Sequence, residues 1–245
     1  QNTAYTKTYM VQVRYLGTGE AFDDRLPNTS LVYEGDRRIL LDCGYSIPHE
    51  LWKHSTDPDW LDAIYLTHFH ADHCFGLPAV LARLNQDGRT RPLQLFGGPG
   101  SSEAAKAVLQ LGYPGMLTRL QYSLDSVEIA PMTSASCGCV QIRTARSSHS
   151  IVNHAVRLEE NGVSVCYSGD GAPTAETESL YANATLLVHE AYYAESSSDS
   201  HASVKQVMEM AERVGVTTVH VLHLKRSAAH PVAIHVPSPG EIVIL

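Results

Sequence analysis

No stretch of this sequence stays apolar for the roughly 20 residues that a membrane-spanning helix needs, which excludes a helical span. Basic charge is also short. Lys and Arg together number 18 against 26 Asp and Glu, a formal net charge of -8. Proteins that grip a long polyanion by its phosphates usually carry an excess of Lys and Arg, so an extended nucleic-acid surface is not expected. The five cysteines are odd in number and lack the spacing of a disulfide framework, so they read as reduced thiols in a cytoplasmic protein. The one close pair, Cys137 and Cys139, has no partner pair to complete a metal site and reads as a turn entering a strand. No basic-then-apolar leader precedes the first strand, and because the chain starts at Gln1 rather than Met, a removed leader stays open. With 44% hydrophobic and 18% charged residues over 245 positions, the chain can bury a full core as one globular domain, residues 1–245.

Histidine is abundant, with 13 in the chain, and the densest cluster is the run from Thr67 to His73. His68, His70, Asp72 and His73 fall within six residues, between the apolar run Ala63–Leu66 and a helix-like run from Phe75 to Leu84. Imidazole nitrogen and carboxylate oxygen are donors that zinc and its first-row neighbours accept. A strand end followed by a tight turn can aim several such donors at one point. The run therefore reads as a metal site.

Around it, strands come first. Met10 to Tyr15 alternates in polarity, Ser30–Tyr33 and Arg38–Leu41 form a hairpin about Gly35, and Asp42-Cys43-Gly44 leads into a helix at Ile47–Lys53. Gly17 and Gly19 lack the third glycine and the immediate helix of a nucleotide loop, so they mark a turn near the site. Further strands are expected at Leu93–Phe96, Leu120–Ile129, Val140–Ala145, His154–Glu159, Val163–Tyr167, Leu186–His189 and Val219–Leu222, with an edge strand at Glu241–Leu245. Helices are expected from Ser101 to Gly112 and from Ser203 to Val214. This order predicts an α/β fold with two mixed sheets packed face to face and helices outside, a four-layer αβ/βα sandwich.

The ordered motifs resemble the metallo-β-lactamase superfamily and, within it, the ribonuclease Z-like branch. They are Leu16-Gly-Thr-Gly19, Asn28-Thr-Ser30, Asp42, the His68 to His73 motif, Phe75-Gly-Leu-Pro78, His149 with Arg157, Tyr167-Ser-Gly-Asp170, Val188-His-Glu190-Ala191, His201-Ala-Ser203 and His223. The resemblance spans about residues 10 to 230. It implies two Zn²⁺ per chain, with Mn²⁺ or Fe as alternatives. His68, His70 and His149 would hold one ion, Asp72, His73 and His223 the other, and Asp170 would bridge them. The water between two such cations becomes a hydroxide nucleophile at neutral pH. Asp72, Glu190 and His201 would carry catalysis, the last two by protonating the leaving oxygen. Where the branch has His-Ser-Thr, this chain has His201-Ala202-Ser203.

Other histidines compete. His154 is a rival to His149, but it falls inside a strand-like stretch, whereas His149 sits in a Ser-rich loop. His189 and His220 read as core or interface residues, and His49, His54, His230 and His235 as surface. Between Arg157 and Tyr167 there is room for a hairpin and no more, so the tRNA-gripping arm of ribonuclease Z is absent. The expected function is hydrolysis of a small or cyclic nucleotide phosphodiester. The runner-up is tRNA 3′ processing, followed by hydrolysis of another ester such as an aryl sulfate or lactone, and last a non-catalytic binding domain. The expected partner is a small anionic ester, without membrane or long nucleic acid, and homodimer formation is left open.

Overall fold

Hydrophobic patterning explains which strands lie at the centre. In the computed structural model, which describes residues 10–227 and 234–245, β1 (Gln12–Gly17), β2 (Ser30–Glu34) and β3 (Arg38–Leu41) form an antiparallel meander. The expected hairpin turns at Gly35, with Leu31 opposite Leu41. Helix α1 (Ile47–His54) then crosses to β4 (Ala63–Leu66), which runs parallel to β3 and is buried at every residue. An unbroken apolar run is what a central parallel strand, covered on both faces, requires. Helices α2 (Ala71–Cys74) and α3 (Leu77–Gln86) lead to β5 (Leu93–Gly97), and α4 (Ser101–Gly112) to β6 (Leu124–Glu128).

The second half builds another sheet. Strands β7 (Ser134–Cys137), β8 (Val140–Arg146), β9 (His154–Glu160) and β10 (Val163–Tyr167) are antiparallel neighbours. After α5 (Ala175–Tyr181), β11 (Leu186–Glu190) joins parallel to β10, and after α6 (Val204–Arg213), β12 (Val219–Leu222) joins parallel to β11. The tail strand β13 (Ile242–Ile244) returns to the edge of the first sheet beside β1. The sheets run β13-β1-β2-β3-β4-β5-β6 and β12-β11-β10-β9-β8-β7.

Three packed interfaces make the four layers. Between the sheets lie Tyr15, Tyr33, Phe96, Ile142, Leu158 and Val188, among others. Leu40, Ile64, Leu77, Val80 and Leu109 join the first sheet to α1, α3 and α4, and Leu187, Leu180 and Met210 join the second to α5 and α6. The expected αβ/βα sandwich is the fold observed.

Several boundaries differ from those expected. The helix placed from Phe75 to Leu84 starts at Leu77 and runs on to Gln86, and a separate one-turn helix, Ala71–Cys74, precedes it and carries Asp72 and His73. Pro78, early in α3, fits the second start because its missing N–H has no intrahelical partner there. The strand expected over Leu120–Ile129 is limited to Leu124–Glu128. Cys137 ends β7 and Val140 begins β8, so the Cys137–Cys139 segment is the hairpin turn anticipated.

The chain leaves its parallel strands repeatedly at one rim. Asp42 follows β3, His68 follows β4, Asp170 follows β10, Glu190 ends β11 and His223 follows β12. Ligand sites in α/β sheets form at such carboxyl ends, where rigid strands aim the loops that follow.

Candidate metal centre

Two groups of donors share one residue. His68, His70, His149 and Asp170 offer ligand atoms within 4.8 Å of one another, and so do Asp72, His73, Asp170 and His223. Asp170 belongs to both. Its Oδ1 is 3.3 Å from His73 Nε2, and its Oδ2 is 3.5 Å from His223 Nε2 and 3.9 Å from both His68 Nε2 and His149 Nε2. Within the first group, His70 Nδ1 lies 3.1 Å from His68 Nε2 and 3.2 Å from His149 Nε2.

Held from behind, four of these imidazoles point inward. His68 Nδ1 donates to Thr67 Oγ1 at 3.0 Å, His73 Nδ1 to Asp42 Oδ2 at 2.7 Å, His149 Nδ1 to the Ser200 carbonyl at 2.8 Å, and His223 Nδ1 to Thr29 Oγ1 at 3.3 Å. That pattern orients each ring from behind and turns its Nε2 inward, as metal-bound histidines require. The two atoms that face each other across the second group, His73 Nε2 and Asp170 Oδ1, are buried and have no hydrogen-bond partner. A buried polar atom without a partner costs about 1–3 kcal/mol. A cation between them would satisfy both, so the donor set fits a metal.

Charge favours the same occupant. Burial, reinforced by the neighbouring His73, pushes His68 well below its ordinary pKa, and burial with His149 nearby lowers His70. Both are thus neutral, the ligating form. Burial opposes ionisation of Asp170, but His223 and His73 outweigh it and hold the carboxyl well below its usual range. Burial would lower His73 too, yet Asp170 and Asp42 raise it well above the usual value. Three carboxylates, Asp42, Asp72 and Asp170, thus crowd one imidazole.

The backbone is bent to make this possible. Asp42 and His223 adopt left-handed φ values of 60° and 57°, which are uncommon for residues other than glycine and concentrate at functional sites. Gly44 lies so close to the chain at Asp72 that a Cβ would meet its carbonyl oxygen at 1.9 Å. Only glycine lets the Asp42 turn pack against the His68–His73 segment.

The two donor groups open into a cavity of about 410 Å³, within the range of small-ligand sites. Glu20, Phe22, Tyr45, Tyr192 and His201 line it together with the metal donors. His201 Nδ1 donates to Glu190 Oε1 at 3.1 Å. Glu190 is fully buried and also accepts the backbone N–H groups of Gly171, Tyr192 and Ala202. Burial works to lower the His201 pKa, but the hydrogen bond and charge of Glu190 prevail and raise it. Ser203, not His201, caps α6, through the Gln206 N–H.

The family model described as Anti-Pycsar protein Apyc1 matches residues 11–230. The chain belongs to this family. Among curated relatives, the ribonuclease Z of Methanothermobacter thermautotrophicus is 25% identical over 270 residues, covering 88% of this chain and 87% of its own. Of solved structures, the short form of human tRNase Z superposes with a TM-score of 0.80 at 20% identity, covering 95% of this chain and 98% of that one. The metallo-β-lactamase fold protein YhfI from Bacillus subtilis also reaches 0.80, at 18% identity, with 97% and 100% coverage. The Apyc1-family chain is thus a ribonuclease Z-like protein of the metallo-β-lactamase superfamily of hydrolases.

Histidines outside the centre fall where their surroundings require. His154 is buried on β9 against Gly98, while His149 joins the first donor group. Arg157 is also buried away from the cavity, and its Nη1 donates to the carbonyls of Leu180 and Ala182. His189 is in the core; His49 is exposed and His54 half-buried beside Trp60. His230 lies outside the described residues. His235 is exposed, as expected, but not isolated. It donates to Glu241 at 2.6 Å and packs against His220, whose Nδ1 is 2.6 Å from the Tyr15 hydroxyl. Sequence reasoning missed the cavity wall of Phe22, Tyr45 and Tyr192. Two of these sit beside quoted motifs, Tyr45 after Asp42-Cys43-Gly44 and Tyr192 after Glu190-Ala191, and proximity to those motifs was the available signal.

Proposed function

We propose that this chain is a zinc-dependent phosphodiesterase, a single hydrolase domain acting on a small or cyclic nucleotide in the cytoplasm. The observation that carries the proposal is the pairing of two donor groups through Asp170 with the His201–Glu190 pair on one small cavity. His68, His70, His149 and Asp170 would hold one Zn²⁺, and Asp72, His73, Asp170 and His223 the other. Bound there, the ions would polarise the phosphoryl oxygens and supply a nucleophile from water at neutral pH. Imidazole-rich donors with carboxylates suit zinc, with manganese or iron next.

His201 presents the proton. Its Nδ1 is committed to Glu190, so Nε2 remains to meet the departing alkoxide, and Glu190 keeps the ring oriented and its proton affinity high. Asp72 contributes its carboxylate at the cavity side of the second group.

Two observations support a small substrate. The connection from β9 to β10 is a two-residue turn at Asn161 and Gly162, both at positive φ, with Glu160 paired to Val163. Such a turn leaves no chain for a protruding arm. The 270-residue alignment with the archaeal ribonuclease Z is longer than the 245-residue chain, so that relative carries segments missing here. The free state of all five cysteines supports a reducing compartment.

The second reading is tRNA 3′ processing, favoured by the relatives named ribonuclease Z. Hydrolysis of a panel of cyclic nucleotides by zinc-loaded protein tests the first reading. Turnover abolished by EDTA and restored by zinc is expected. Inactivity on every cyclic nucleotide, with cleavage of precursor tRNA, would install the second.

A further inference from the structure

The turn between β1 and β2 presents an aromatic side chain to solvent at the mouth of the metal cavity. Phe22 is 76% exposed, and Tyr45, on the same cavity, is 50% exposed. A single exposed aromatic needs no explanation. Here two share one cavity with the metal donors, and the backbone at Phe22 and the hydroxyl of Tyr45 are both tied down. The Phe22 N–H donates to Glu20 Oε2 at 3.0 Å, and buried Glu20 is itself tied to Arg226. Asp23 Oδ1 accepts the Arg25 and Leu26 N–H groups at 2.8 and 3.0 Å, closing the turn. The Tyr45 hydroxyl donates to the Ala21 carbonyl, which ties the tyrosine to the turn that carries Phe22. The turn and Tyr45 are therefore set before any ligand arrives, which limits the ordering cost of binding.

Among the described residues, no Lys or Arg lines this cavity. The anionic part of a ligand must be recognised by the metal-donor end. What projects towards the turn meets aromatic rings and no free cation, which suits a flat, uncharged group. From this geometry we infer that Phe22 and Tyr45 form a shelf on which the nucleobase of the substrate stacks. The inference rests on the phosphodiesterase reading and adds the part of the substrate that gives the enzyme its preference. Bases stack on aromatic side chains whatever their hydrogen-bonding edges, so the shelf selects for the presence of a base more than for its identity.

The test compares a 3′,5′-cyclic nucleotide with the abasic ribose 3′,5′-cyclic phosphate, using metal-loaded protein. Wild type should prefer the nucleotide in kcat/KM. Phe22→Ala should erode that preference about ten-fold or more, ~1.4 kcal/mol, mainly through KM, and Phe22→Trp should restore it. Tyr45→Ala should act in the same direction, which keeps the test decisive if one variant folds poorly. An unchanged preference, an equal loss on both substrates, or a change confined to oligomeric state would overturn the shelf while leaving the phosphodiesterase reading intact. Wild-type protein inert on both substrates would overturn the phosphodiesterase reading, and the shelf with it.

Discussion

Asp42 Oδ2 lies 2.7 Å from His73 Nδ1, and neither side chain touches solvent. The same carboxylate accepts the Thr67 backbone N–H at 2.8 Å, the Thr67 hydroxyl at 2.8 Å and the Tyr167 hydroxyl at 2.9 Å. Four donors from three segments thus converge on one residue outside both donor groups. This is how a buried charge is tolerated: each lone pair has a partner. Through Thr67 and His73 the carboxylate fixes imidazoles of both groups.

Asp42→Asn tests that arrangement. Asparagine tolerates the left-handed backbone at this position, so the fold should survive. Losing a partner behind a metal-bound histidine typically costs about 10–100-fold in metal affinity. Competition against a chromophoric chelator should show such weakening for at least one ion. Unchanged affinity would mean that Asp42 acts only in folding.

Asp170→Asn should have the larger effect, because Asp170 alone belongs to both donor groups. Elemental analysis of wild-type protein prepared without chelator should give two ions per chain. The variant should hold about one or fewer. A variant with both ions and full rate would place the bridge elsewhere.

His201→Ala should keep its metals and lose rate by about 10²–10⁴ on substrates with a basic alkoxide leaving group, the usual range for a general acid. An aryl phosphodiester needs less protonation and should be spared. Equal loss on both classes would make His201 a substrate-binding or structural residue.

Much of this centre was legible because its densest part is local. His68, His70, Asp72 and His73 are adjacent in sequence, so one strand end suffices to gather them. His149, Asp170 and His223 could be placed through the family resemblance, since nothing in their spacing reveals that three distant loops meet. The role of Asp42 was hidden for the same reason: its donors come from the ends of β4 and β10 and from α2. Two elements escaped because their sequences are weak. Strand β7 is an edge strand of small residues, Ser134–Cys137, with little apolar pattern. Helix α5 is only seven residues long, and Thr174 and Thr177 cap it reciprocally in place of the usual Ser/Thr with Glu/Gln pair. Helix α2 was missed because its four residues fall inside the His68–His73 run, where a tight turn was expected.

His220 sets a pH dependence apart from the Asp170 centre. Burial, with His235 adding to it, lowers its pKa from 6.5 to about 4. The folded state thus prefers the neutral ring, and the stability this gives is full above pH 6.5 and is lost as pH falls towards 4. Over that window His220 should account for about 1–3 kcal/mol. Thermal unfolding of metal-free protein avoids the effect of metal loss in acid. The wild-type midpoint should fall more steeply than that of His220→Gln between these pH values, and parallel curves would remove His220 from the account.

The proposed phosphodiesterase would serve a compact phosphodiester rather than a long RNA. The most direct test measures kcat/KM of the same zinc-loaded preparation on a cyclic nucleotide and on a precursor tRNA at matched ionic strength. A net charge of -8 and a two-residue β9–β10 turn predict clear turnover of the cyclic nucleotide with little tRNA cleavage. Efficient, correctly placed 3′ cleavage of the precursor, with affinity that drops steeply as salt is added, would contradict it.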